Sequence, residues 1–148
     1  MNLEIKPKNG LGDLKFGEIP ENVTKLFGEP ADAEEISSDD DDLKTTILSY
    51  DDGVTVFLEG LVEPVVSNFD VDNKNAILFG EKVFEMKEQA IIELMNKNNF
   101  SLMEKEEEEW GETRITFEDA LTDFYFEGNE LVAVSWGVLI NDDGSMAV

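Results

Sequence analysis

The sequence predicts an α+β protein of two tandem repeats, residues 1–72 and 73–148, each a short helical segment and helix packed on one face of a four-stranded antiparallel sheet. Three observations predict it. Gly12, Asp13 and Phe16 return as Gly80, Glu81 and Phe84, a register of 68 residues that continues through Val23/Ile91 and Leu26/Leu94. Self-similarity at a fixed period is the trace that a doubled supersecondary unit leaves. The spacing returns in Val56-Phe57-Leu58-Glu59-Gly60 against Phe124-Tyr125-Phe126-Glu127-Gly128, and in Val65-Val66-Ser67 against Ala133-Val134-Ser135. Each half then reads as one amphipathic helical stretch followed by four β-rich runs with short turns, and short turns join antiparallel neighbours.

In the first half Pro20 marks a helix start, because the first turn has no use for its missing N–H, and Val23, Leu26 and Phe27 follow at helical spacing. Gly28 and then Pro30 give the stop signal. The second helix spans about 85–96, with Met86, Ala90, Ile91, Leu94 and Met95 apolar. Helices this short do not persist alone in water, so each is expected to lay its apolar stripe on a sheet. Strands are predicted at 33–36, 44–50, 54–59 and 65–71, and again at 101–105, 112–118, 121–127 and 131–139, from β-branched and aromatic enrichment between turn signals. A side-chain period of two puts Thr46, Leu48 and Tyr50 on one face with Val54, Val56 and Leu58, matched by Thr113, Ile115 and Phe117 with Thr122, Phe124 and Phe126. That face is the predicted core, with Trp136. Ile47, Thr55 and Phe57, with Arg114, Thr116, Asp123 and Tyr125, fall on its reverse.

Composition bounds the function. With 148 residues, 41% of them hydrophobic, ten Phe and two Trp, the chain is a folded protein rather than a disordered one. Thirty-five acids against eleven bases give a formal net charge of −24. Such a surface repels phosphate, so neither nucleic acid nor an anionic membrane is an expected partner. A protein with a basic surface is. No apolar run of membrane length and no signal-like leader stands in the sequence, which points to a cytoplasmic protein. There is no His and no Cys. The usual general base and the thiolate nucleophile are therefore missing, and no nucleophile elbow, phosphate loop or zinc spacing replaces them. No catalytic residue, cofactor or metal site is expected.

The lead-in glycine, the Phe16-Gly17 step, the Gly28-Glu29-Pro30 closure and the four predicted strands together resemble the BamE-like lipoprotein unit. Two in tandem resemble the β-lactamase-inhibitory protein fold. The resemblance implies helices on one side of each sheet and a free side that binds a protein. The chain departs from both in having no cysteine, and residues 96–98 (Asn-Lys-Asn) replace the Gly-x-Pro step in the second half.

Two acid runs, Asp39-Asp40-Asp41-Asp42 and Glu106-Glu107-Glu108-Glu109, fall at equivalent places between the first two predicted strands of each half. Mutual repulsion favours an extended, solvated loop. Two readings stand: a solvated hairpin tip, or an acidic finger that contacts a basic surface. Neither run has the ligand spacing of a calcium loop. Trp110 follows the second run and is either an exposed anchor or folded back on the core. Phe57, Tyr125 and Arg114 form an aromatic and guanidinium set of the type that dominates interfaces, or they pack against the other half. The functional expectation is a non-catalytic acidic protein-binding module, an inhibitor or immunity-type protein being one form. A DNA mimic and a carboxylate-based hydrolase are the alternatives.

Overall fold

Three short strands open the chain, β1 (Glu4–Lys6), β2 (Gly10–Leu11) and β3 (Leu14–Lys15), followed by helix α1 (Pro20–Phe27) and a meander of β4 (Asp32–Ser37), β5 (Lys44–Tyr50), β6 (Val54–Gly60) and β7 (Val65–Val71). A hairpin, β8 (Ile77–Leu78) and β9 (Glu81–Lys82), leads through a 3-10 turn (Val83–Glu85) into α2 (Glu88–Lys97). A second meander follows: β10 (Met103–Glu107), β11 (Glu112–Phe117), β12 (Thr122–Glu127) and β13 (Glu130–Gly137), then the pair β14 (Leu139–Ile140) and β15 (Met146–Ala147). This computed structural model describes residues 2–37, 43–61, 63–109, 111–140 and 146–147.

The predicted fold class needs correction. Among the described residues the protein is mostly β, with two short helices, and its strands do not form a separate four-stranded sheet in each half. The two meanders join into one eight-stranded antiparallel sheet, β10-β11-β12-β13-β7-β6-β5-β4. At the seam Asn68, Phe69, Asp70 and Val71 of β7 lie opposite Gly137, Trp136, Ser135 and Val134 of β13. The physical reason is the edge: a lone four-stranded sheet would leave β7 and β13 with unpaired N–H and C=O groups, and pairing them removes both edges at once. The lead-in segments are strands as well. They form a five-stranded mixed sheet, β3-β2-β1-β8-β9, in which β1 and β8 run parallel. The likeness to tandem BamE-like units and to the β-lactamase-inhibitory protein fold is overturned by this architecture.

The seam also holds the core. Trp136 stacks on Phe69 with ring centroids 5.3 Å apart, Phe16 packs on Phe69 at 5.4 Å, and the buried Trp136 Nε1–H donates to the Gly10 carbonyl at 2.9 Å. Trp136 and Phe69, both fully buried, each contribute roughly 1.5–3 kcal/mol relative to exposure. Val23 of α1, with Ile91 and Met95 of α2, is buried on the same side, while Leu26 is left exposed. The residues just before α1 are stitched to β7, Gly17 N–H to the Val66 carbonyl at 2.8 Å and Val66 N–H to the Glu18 carbonyl at 2.9 Å.

Both meanders carry a bulge at corresponding places, between Phe57 and Leu58 and between Tyr125 and Phe126, 68 residues apart. Beyond it the register slips. Leu58 faces Val66, whereas Phe126 faces Leu131, because the connection after Gly128 is three residues shorter than that after Gly60. The matching of Val65-Val66-Ser67 to Ala133-Val134-Ser135 is corrected accordingly.

Candidate partner-binding face

Period-two alternation divides the large sheet into two faces. Val54, Val56, Leu58, Phe69, Val71, Ile115, Phe117, Phe124, Phe126, Val134 and Trp136 are buried on one. On the other, the register sets one residue from each strand in a single row: Glu104, Thr116, Asp123, Ser135, Asp70, Thr55, Ser49 and Asp32. The row crosses the whole sheet and contains only carboxylates and hydroxyls. Neighbouring strands lie about 4.8 Å apart, so Glu104, Asp123 and Asp70, on alternate strands, repeat at about 9.6 Å.

Asp70 is the centre of the row, at the seam. A groove of about 520 Å³ opens over it, walled by Tyr50, Thr55, Tyr125, Ala133 and Ser135. Burial raises the Asp70 carboxyl above its ordinary range, against hydrogen bonds from Ser135 and Asn68 that lower it, and the Asp123 charge adds to the rise. Asp123 in turn accepts from the Thr116 hydroxyl. Burial also raises Tyr125, with the Asp123 charge helping and the Arg114 charge opposing. Tyr50 is raised by burial and then by Glu29, and its hydroxyl donates to the Gly28 carbonyl at 3.1 Å. Gly137 makes room at the seam: a Cβ there would fall 2.4 Å from the Asn68 amide.

The residues singled out from the sequence divide into three groups. Phe57 and Tyr125 are half-buried and share the polar face. They flank the row on opposite sides, because β6 and β12 run in opposite directions. Arg114 lies opposite Tyr125 and is already engaged with Glu106, Nη2 to Oε2 at 2.5 Å. The second acid run is not wholly a loop, which corrects the predicted strand end at 105. Glu106 and Glu107 belong to β10, where an outer strand keeps both carboxylates in solvent and Arg114 and Lys105 pair with them. Glu108 and Glu109 form the turn into β11. Asp39, Asp40, Asp41, Asp42 and Trp110 lie outside the described residues.

Asp70, Ser135 and Asn68 were not singled out by sequence reading. Their period-two phase was legible, but the pairing of β7 with β13 that brings them together was not.

No family model and no curated protein matches the sequence. Among solved structures, an extracellular protein containing a SCP domain from Bacillus anthracis str. Ames is similar over 94% of this chain, at 15% identity and a TM-score of 0.48. The chain spans 50% of the length of that one. A likeness of that degree leaves function to be argued from the face itself.

Proposed function

We propose that this chain is a non-catalytic binding module whose polar sheet face recognises the basic surface of another protein. The observation that carries the reading is the row itself: four carboxylates and four hydroxyls in register across eight strands, with Tyr125 and Phe57 on either flank. Carboxylates at the surface of a chain of net charge −24 attract and orient a cationic partner. The hydroxyls accept or donate as the partner requires, and the half-buried aromatics supply apolar contact area. The repeat of about 9.6 Å differs from the roughly 7 Å between phosphates along one DNA strand, which favours a protein partner over DNA mimicry.

The test compares two charge-matched double variants in a pull-down from the native host. Asp70→Asn with Asp123→Asn alters the row, and Glu81→Gln with Glu85→Gln removes the same charge from exposed positions outside the large sheet. Basic proteins that are released by salt and lost only with the first variant support the reading. Captured proteins that are neither basic nor salt-sensitive contradict it, as does equal loss with both variants.

One observation favours a second reading, a carboxylate-based hydrolase. Asp70 is raised by burial in a groove and feels the charge of Asp123, and a carboxyl raised in this way beside a second carboxylate is the pairing that acid–base hydrolysis uses. That reading predicts turnover of a hydrolysable substrate, a glycoside for instance, that disappears in Asp70→Asn.

A further inference from the structure

β10 is an outer strand of the eight-stranded sheet. Its bonds to the rest of the sheet include Glu118 N–H to the Leu102 carbonyl at 2.9 Å and Glu108 N–H to the Glu112 carbonyl at 2.7 Å. These fall in the same register as the pairs Glu104 with Thr116 and Glu106 with Arg114. Backbone bonding alternates residue by residue along an antiparallel ladder. The even-numbered residues therefore turn their amides inward, and Lys105 and Glu107 present N–H and C=O outward, away from β11. An outward row of this kind is a template for one more strand.

Side chains select what that strand is. Leu102 is 59% exposed and Met103 40%, two of the few large apolar side chains exposed among the described residues. Glu104 and Glu106 stand on the polar face, and the strand's one base, Lys105, is held by Glu88 at 2.8 Å. A second copy of this chain is a poor occupant. The outer strands of its large sheet are β10 and β4, and β4 carries Asp32, Glu34 and Glu35, so pairing large sheet to large sheet sets like charges opposite one another.

We propose that the β10 edge takes up an extended segment of the partner as a ninth strand, one that alternates Lys or Arg, set beside Glu104 and Glu106, with apolar residues set beside Met103. This rests on the basic-partner reading and assigns it a docking mode. Backbone bonds to Lys105 and Glu107 fix the register, and the acidic face rejects a segment of the wrong charge.

The probe is a synthetic peptide of about ten residues alternating Lys and Val, added to the isotope-labelled full chain at about 0.05 M salt, with amide exchange read residue by residue. Exchange at Lys105 and Glu107 is expected to slow by about tenfold or more on saturation. Lys105→Pro removes an outward donor and a positive charge, while Lys105→Gln removes the same charge and keeps the donor. Loss of binding in the first with retained or tighter binding in the second is the expected pair of results. Unchanged protection of Glu104 and Glu106, whose amides point inward, shows that the proline variant keeps β10 on β11. Binding that shifts Asp70, Ser135 and Asp123 and is indifferent to Lys105→Pro overturns the edge inference and leaves the basic-partner reading in place. No saturable shift anywhere overturns both.

Discussion

Asp70 is held in a half-buried groove with its carboxyl raised above the ordinary value near 3.8, chiefly by burial. The folded state thus keeps a proton that the unfolded chain has already released. The stabilisation is complete below that ordinary value and is lost as pH climbs through the raised one. Asp70→Asn is free of that loss, so its unfolding free energy relative to the parent protein should improve as pH rises from about 4 to about 7. Denaturant melts of both proteins across that range check it, and a constant difference would contradict it. Trp136 gives a second prediction at this scale. Trp136→Phe withdraws the donor to the Gly10 carbonyl and leaves a void beside Phe69. A loss of about 2–3 kcal/mol is expected in the same melts.

Among the elements, the seam between β7 and β13 determines what the face is. Gly137→Ala would force a Cβ to 2.4 Å from the Asn68 amide and 2.8 Å from the Ser67 carbonyl. The expected cost is about 1–3 kcal/mol, with amide protection lost first at Phe69, Trp136 and Val138, whose N–H groups face across the seam. Much of each element was legible in the sequence. The helix from Pro20 to Phe27 and the strands at 44–50 and 65–71 have the predicted bounds, because Pro, Gly and period-two alternation are local signals. The two-residue strands β2, β3, β8 and β9 were not, since they are too short to show a period. Four consecutive glutamates read as a loop on propensity alone, yet the outer strand takes in the first two, Glu106 and Glu107, by keeping their carboxylates in water. The register slip after Gly128 was hidden because Val65-Val66-Ser67 and Ala133-Val134-Ser135 look alike and pair differently.

For the whole molecule, the sequence periodicity marked two similar halves and gave no sign of how they meet. Strand pairing across the seam depends on contacts between residues some 65 positions apart, and nothing local specifies it. The candidate site inherits that limit: its aromatic flanks were readable, its carboxylate centre was not. Charge acts at this scale too. With a net charge of −24 the folded chain repels itself, so added salt should raise the melting temperature between about 0.02 and 0.5 M, and scanning calorimetry in a salt series would register the rise. A melting temperature that falls with salt would place the main electrostatic contribution in ion pairs instead.

The functional account stands on the two meanders sharing one sheet, with Asp70 beside Ser135. Because Val138 N–H bonds to the Ser67 carbonyl at 3.0 Å, Asp70 and Ser135 form a non-hydrogen-bonded pair, the type whose α-protons approach most closely. A nuclear Overhauser spectrum of the labelled protein should show a strong cross-peak between the α-protons of Asp70 and Ser135. Its absence, with the cross-strand contacts inside each meander intact, would separate the two halves and remove the continuous face on which binding is argued.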